Sequence, residues 1–359
     1  MSFKLLMFGQ FSPPITGEAV VNDKVFEILQ NNGFKLDNVN SSIISNANLV
    51  GKFTFEKVFK TANVYCKLLR KLRKVNLMYL TPGQTYLGVI RLVPVLIACR
   101  VFNVKVIAHW HGYGLLWLLK NDPIVTRFIL NRVNINILLT KHLLEEVELI
   151  SDAVKNAFVI TNYTEVISNK KIETPIKNKD LTIPIRVLYL GSLMKEKGIM
   201  IFLQAAQKHP EMNFNICGTG SKEVVNIVKD FSKKLDNLTY SGVVYGNEKT
   251  NVLNNADIFV LQSHYKSEGV PLSILEAMSA NCAIITTNHN GIPETVGNCA
   301  LFVEKNNLES LSNKLVYLSE NRDVLDTLQS FSHARASDFS LAKFEEKLLI
   351  AIQNGLELI

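Results

Sequence analysis

The sequence predicts an α/β protein of two parallel-sheet domains, and three observations carry that prediction. Both halves open the same way, with an apolar strand, a glycine-containing loop and an amphipathic helix. Six strand candidates fall in each half. Between the halves, residues 166–184 are polar, carry Pro175 and Pro184, and sustain no amphipathic period, which marks an interdomain linker. A chain of 359 residues with 47% hydrophobic content is long and apolar enough for two cores of ordinary size. The expected boundaries are 1–165, 185–340 and a last amphipathic helix over 341–359, with Phe344, Leu348 and Ile352 in phase.

The first half begins with Lys4-Leu-Leu-Met-Phe-Gly, a buried strand. Gln10 to Gly17 is rich in breakers, and Val21, Val25, Ile28 and Leu29 then line one helix face up to Asn31-Asn32-Gly33. This is a Rossmann-like opening, but without G-x-G-x-x-G, so a dinucleotide cofactor is not expected. Residues 52–74 set Lys52, Lys57, Lys60, Lys67, Arg70, Lys71, Arg73 and Lys74 against a single acid, Glu56, with apolar residues interleaved. A basic amphipathic segment of this kind suits an anionic membrane surface; its plain alternative is a solvated helix face. Val75 to Leu80 is a strand, and Val104-Lys-Val-Ile-Ala leads to His109-Trp-His111-Gly112 at a strand's carboxyl end, where such folds bind ligands. Leu115-Leu-Trp-Leu-Leu is either core or an apolar lip. Ile135 to Thr140 and Phe158 to Asn162 complete the half.

The second half starts with Ile185-Arg-Val-Leu-Tyr-Leu-Gly191, followed by Lys195, Lys197 and Gly198. Phe214 to Gly220 repeats the strand-then-glycine pattern, with Gly218 and Gly220 allowing close backbone approach. Leu238 to Gly242 is the next strand and turn. The stretch Glu268-Gly-Val-Pro-Leu-Ser-Ile-Leu-Glu276 lies between two apolar strands, Asp257 to Ser263 and Ala283 to Asn288. A helix starting near Pro271 would offer its first N–H groups to an anion, phosphate above all. Proline has no N–H, so the donors would be Gly269, Val270, Leu272 and Ser273. The two acids could then accept from hydroxyls on either side of a diphosphate, the layout of a nucleotide-sugar.

The wording Ser-Glu-Gly-Val-Pro-Leu-Ser-Ile-Leu-Glu-Ala-Met-Ser-Ala, with Gly291-Ile-Pro-Glu294 after it, resembles the E-x7-E signature of the family-4 retaining glycosyltransferases, glycosyltransferase group 1. That resemblance implies the GT-B fold: two facing Rossmann-like domains, the tail helix returning to the N-terminal, acceptor-side one and the C-terminal one binding nucleotide-sugar. It implies that Glu276 binds ribose and Glu268 lies by the donor sugar. It places His111 at the sugar and departing diphosphate, Lys197 as the neutralising cation, and Gly17, Gly191, Gly218, Gly220 and Gly242 along the donor. Three departures stand out. Glu18 replaces the second glycine of the first loop, so its side chain must point away or narrow the site. Ser192 stands where the family has arginine, with Lys195 the candidate substitute. Asn281 stands where a glycine ends the helix, and asparagine tolerates the left-handed conformation needed there.

Composition narrows the partners. Lys+Arg 39 against Asp+Glu 32 gives +7, suited to anionic substrates, but no basic tail or basic–aromatic motif points to nucleic acid. There is no D-x-D, H-E-x-x-H or C-x-x-C, so no metal or cofactor is expected. Five scattered cysteines, Cys99, Cys217 and Cys282 among them in apolar runs, fit reduced thiols of a cytoplasmic protein. The start, Met-Ser-Phe-Lys, runs straight into a strand, so a cleaved signal is not expected; peripheral contact with the inner face of the plasma membrane is. Sugar transfer from a UDP- or GDP-sugar to a saccharide or lipid-linked acceptor, in polysaccharide or lipopolysaccharide assembly, is the implied activity. The alternatives are an epimerase or hydrolase on the same fold, a non-catalytic nucleotide-sugar-binding subunit of a membrane assembly, and a nicotinamide oxidoreductase.

Overall fold

The computed structural model describes residues 4–42, 55–165 and 183–359. The chain divides into two compact units, Met1–Asn162 with Ala342–Ile359, and Tyr163–Leu341. Tyr163 to Glu165, expected with the first domain, group with the second. The Thr164 N–H donates to the Phe339 carbonyl at 2.8 Å, and its hydroxyl lies 3.3 Å from that of Ser279. The expected linker at 166–184 falls almost wholly outside the described residues.

The first unit is built on one sheet: β1 (Lys4–Gly9), β2 (Lys35–Asn40), β3 (Leu77–Leu80), β4 (Lys105–Trp110), β5 (Ile135–Leu138) and β6 (Ala157–Val159). Their spatial order is β2-β1-β3-β4-β5-β6, every pair parallel. Helices cover the sheet, so its central strands are apolar along their length instead of alternating, as parallel strands buried on two sides must be. Leu5, Leu6 and Met7 in β1 and all four residues of β3 are fully buried. Leu115, Leu118 and Leu119 are buried too, so the Leu-Leu-Trp-Leu-Leu run belongs to the core. At roughly 1.5–3 kcal/mol per fully buried large apolar side chain, such clusters supply the driving force that fixes the strand ends.

The tail helix Leu341–Glu357 packs on this unit. Its buried stripe is Phe344, Leu348, Ala351, Ile352 and Gly355, a 3.6-residue spacing. Asn32 caps the contact by donating to Glu345 Oε1 at 2.9 Å.

The second unit repeats the plan: β7 (Arg186–Leu190), β8 (Asn213–Cys217), β9 (Leu238–Gly242), β10 (Ile258–Leu261), β11 (Ala283–Thr287) and β12 (Ala300–Val303). Their order is β12-β11-β10-β7-β8-β9, again all parallel. Each sheet therefore has one place where successive connections leave in opposite directions. It lies between β1 and β3 in the first unit and between β7 and β10 in the second. Ligands of open parallel sheets bind outside the carboxyl ends of the strands at such a point.

Candidate functional site

In the second unit the switch point is formed by the loops after β7 and β10, and these carry Lys197 and Glu268. After β7 the chain makes a short 3-10 turn, Lys195–Lys197, closed by Gly198 at φ +83°. A Cβ at Gly198 would lie 2.7 Å from Gln262 Cβ, so only glycine lets this loop lie against the one after β10. The result is an ion pair: Lys197 Nζ stands 3.2 Å from Glu268 Oε2 and 3.3 Å from Oε1. Glu268 is buried, and the Ser263 hydroxyl donates to its Oε2 at 2.7 Å. Asn290 Nδ2 donates to the carbonyls of Lys266 and Glu268, holding the loop from behind. Lys197 also faces the Tyr265 ring, 5.7 Å from its centroid.

From Glu268 the chain passes through buried Gly269 and Val270 to Pro271, which caps the helix Leu272–Ser279 without a side-chain cap bond. The Pro271 carbonyl takes the N–H groups of Ile274 and Leu275. The half-buried Leu272 and Ser273 come before them, where a helix presents its free donors and the positive end of its dipole. One turn along, Glu276 Oε1 accepts from Lys249 Nζ at 2.8 Å. The helix ends at Asn281 with φ +62°, the left-handed conformation expected there.

The glycines expected along the donor gather at the carboxyl ends of β7, β8 and β9. The Gly191 N–H donates to the Cys217 carbonyl at 3.0 Å, and the Gly218 N–H to the Gly242 carbonyl at 2.6 Å. Leu193 bridges to Gly220. Gly218 takes φ +140°, and a Cβ there would lie 1.8 Å from the Gly191 carbonyl oxygen. Tyr189, buried beneath, donates its hydroxyl to the Ser192 carbonyl at 2.7 Å. Burial, and then the Glu268 charge, push its phenol above the ordinary range. Lys195 does not fill the place of the missing arginine: its Nζ pairs with Glu223 at 3.1 Å on the exposed side of the loop.

The remaining expected residues belong to the first unit. Gly17 is the exposed first residue of helix Gly17–Asn31. His111 follows β4, half-buried, its ring 4.1 Å from that of His109. Burial lowers the His111 pKa to about 3, so the ring is neutral at any ordinary pH. In that state it offers hydrogen bonds and no positive charge. Glu18 does not point away. Its carboxyl turns inward and accepts from the Thr81 side chain and the Gln10 backbone.

Sequence reasoning missed Lys249, Ser263, Tyr265 and Asn290. Lys249 reaches Glu276 from the separate helix Gly246–Asn255, and no local pattern announces such a pairing. Asn290 had a faint signal, an Asn-Gly pair, and it does take φ +49°.

Residues 169–335, just under half of the chain, match the family model described as Glycosyl transferases group 1. Among curated proteins, the chain is 23% identical over 184 residues to the putative colanic acid biosynthesis glycosyltransferase WcaL of Salmonella typhimurium. That alignment takes in 47% of this chain and 45% of the relative. It is 30% identical over 169 residues to the UDP-Gal:alpha-D-GlcNAc-diphosphoundecaprenol alpha-1,3-galactosyltransferase of Escherichia coli, 44% of this chain and 43% of the relative. The chain thus spans less than half the length of these relatives. Solved structures match nearly end to end. Sucrose-phosphate synthase from Thermosynechococcus elongatus superposes with a TM-score of 0.77 at 15% identity, over 99% of this chain and 100% of that one. Anabaena HepE in complex with UDP and glucose gives 0.71 at 14% identity, over 98% and 100%. The architecture is that of GT-B proteins.

Proposed function

We propose that this GT-B chain, with a match to group 1 glycosyltransferases over its second unit, moves a sugar from a UDP- or GDP-sugar to a saccharide acceptor with retention of configuration. The observation that carries the reading is the second unit's switch point. There one ammonium group, one buried carboxylate and an uncapped helix amino end with a second carboxylate share the carboxyl edge of a parallel sheet.

In the reaction the bond from the anomeric carbon to the diphosphate oxygen breaks, and the bond to the acceptor oxygen forms. The acceptor's proton leaves with the diphosphate. Negative charge grows on the departing diphosphate, and Lys197 with the N–H groups of Leu272 and Ser273 is suited to meet it. Preorganised donors of this kind are worth roughly a hundred- to a thousandfold each in rate. Glu276 would accept from the ribose hydroxyls, and Glu268 would align Lys197 and touch the sugar. The reading gives the cation's work to Lys197 and the helix end, and so asks for no metal.

A lipid-linked acceptor is favoured by the Escherichia coli relative, whose name specifies a diphosphoundecaprenol substrate. The first unit supports it with a basic and apolar surface at the end of helix Phe55–Leu72. Lys67, Arg70 and Lys74 are exposed there beside Leu69, and the helix packs on Leu92–Val101, which exposes Ile97 and Val101. Among the described residues no helix is long and apolar enough to cross a membrane. The contact we assign to this basic surface is peripheral, at the cytoplasmic face.

The test is nucleotide release from a panel of UDP- and GDP-sugars, with and without diphosphoundecaprenol-linked saccharides, followed by NMR assignment of the product's anomeric configuration. Acceptor-dependent release with retention is expected. Acceptor-independent release, or recovery of an epimerised nucleotide-sugar, would sink the transferase reading.

A further inference from the structure

Three loops at the carboxyl ends of β10, β11 and β12 are tied into a closed circuit beside Glu268. Gln262, buried just past β10, donates Nε2 to the Glu304 carbonyl at 2.6 Å and to the Asn307 carbonyl at 3.1 Å, which holds the loop after β12. From that loop Lys305 Nζ stands 3.0 Å from Nδ1 of His289, in the loop after β11. His289 Nε2 in turn stands 2.9 Å from the Tyr265 carbonyl, back in the loop after β10. The backbone of His289 is held as well, because its carbonyl accepts from the Ile292 N–H at 3.1 Å.

The two partners of the His289 ring fix its chemistry. A carbonyl only accepts and an ammonium only donates. The ring must therefore be neutral, with its proton on Nε2 and its Nδ1 lone pair turned to Lys305. The other tautomer would set N–H against ammonium and lone pair against carbonyl. Burial lowers the His289 pKa below the ordinary histidine range, and Lys305 and His264 lower it further, against the Tyr265 bond and the Glu268 charge that raise it.

The carbonyl that His289 meets is the one that closes the turn into Glu268. The Glu268 N–H donates to it at 2.9 Å, so its two lone pairs serve both bonds. The rest of the turn is held at other points. The Thr287 hydroxyl donates to the Ser263 carbonyl, and Asn290 donates to those of Lys266 and Glu268. Tyr265 carries the ring that faces Lys197, and Glu268 carries the carboxylate that pairs with it. Moving this one carbonyl would move both, and a misplacement of about 1 Å can cost about a hundredfold in rate.

We propose that His289, oriented by Lys305, is a positioning residue of the transfer site: it pins the Tyr265 carbonyl and so fixes where Glu268 and Lys197 stand. The inference rests on the transferase reading for the chemistry that Lys197 performs. The positioning itself rests on the hydrogen-bond circuit alone. Two substitutions separate the bonds from the bulk. Leucine at this position would fill the ring's volume with neither bond. Glutamine would offer an amide N–H to Tyr265 and a carbonyl to Lys305, and would not titrate.

Proton–nitrogen correlation spectra of the histidine rings in the full chain read the tautomer, with the His289 signal identified by its loss in His289→Gln. The Nε2–H form is expected, titrating below free histidine. Lys305→Met should move that midpoint upward, because no ammonium then opposes the second proton. Denaturation midpoints read the positioning through a double-mutant cycle with Lys197. The loss caused by Lys197→Met should shrink by about half or more in the His289→Leu background and stay nearly whole in His289→Gln. On a panel of UDP- and GDP-sugars, His289→Leu should cut kcat about tenfold with UDP affinity unchanged, and His289→Gln should recover most of it. An Nδ1–H tautomer, additive losses in the cycle, or full kcat in His289→Leu overturns the assignment. A wild type that turns over none of the donors would count against the transferase reading, and the tautomer and the cycle would still decide the positioning.

Discussion

Lys197 and Glu268 satisfy one another in this structure, so substituting either mixes a structural effect with a chemical one. Removing the ammonium leaves a buried carboxylate without its counter-charge, which costs about 2 kcal/mol or more. A double-mutant cycle separates the two effects. Lys197→Met should lower both stability and turnover. Adding Glu268→Gln should recover most of the stability, because the orphaned charge is gone. Turnover should stay at least about a hundredfold down, because the cation that meets the leaving diphosphate is still missing. Denaturant midpoints and kcat on the same four proteins check this. Recovery of turnover along with stability would reduce Lys197 to a structural partner.

Glu18 makes a second prediction at this scale. Its pKa is raised from 4.5 to about 7 in the folded chain. Between those values the folded protein keeps a proton that the unfolded chain has lost, so stability must fall as pH climbs through that window. Glu18→Gln should flatten the fall, measured as the denaturation midpoint from pH 4.5 to 7.5. A slope that survives the substitution belongs to another group.

Among the elements, the glycine turns at the ends of β7, β8 and β9 are the least tolerant. Gly218→Ala would need both an unfavourable φ and a Cβ 1.8 Å from the Gly191 oxygen. A loss of about 2 kcal/mol or more, with weakened UDP binding, is expected from thermal shift and calorimetry. The basic helix Phe55–Leu72 is the opposite case, since its exposed charges carry little of the fold. Lys71 is the exception: it bonds Asp37 at 2.6 Å and the Asn38 carbonyl at 3.0 Å. Arg73 lies over the Phe102 ring. Reversing Lys67, Arg70 and Lys74 to glutamate should therefore weaken binding to anionic vesicles severalfold without moving the melting temperature. Unchanged binding would mark the helix as a solvated face.

These elements also show why the chain was partly legible. Strands buried on both faces declare themselves as apolar runs, and β1, β3, β7, β10 and β11 were plain. Turns that demand a left-handed residue declare themselves through glycine or asparagine, as at Gly198 and Asn281. Side-chain direction leaves no such trace. The inward turn of Glu18 depends on Thr81 from another strand, and the Lys249–Glu276 pair depends on where one helix passes another. Burial is also what makes His111 neutral, and a His-Gly dipeptide does not encode how deeply it sits.

Over the whole molecule, each sheet has its own core, and the tail belongs to the first although it follows the second in sequence. Gly355 of that tail sits so close that a Cβ would come 2.8 Å from Ile107 Cδ1 and 3.4 Å from Leu77 Cδ1. Removing the tail should therefore uncover Leu77 and Ile107, at the centre of the first sheet. The chain reports on the two units separately, because both of its tryptophans, Trp110 and Trp117, lie in the first. Tryptophan fluorescence then follows the first unit alone, while far-ultraviolet circular dichroism follows both. Truncation after Leu341 should shift the fluorescence transition to lower denaturant and leave a later dichroism transition in place. UDP should act the other way. If the second unit holds the nucleotide by itself, a hundredfold excess over Kd should stabilise that unit by about 2.7 kcal/mol. The fluorescence transition should not move. A fluorescence shift with UDP in the truncated chain would mean that the first unit shares the nucleotide, and that the second sheet's switch point is only part of its site.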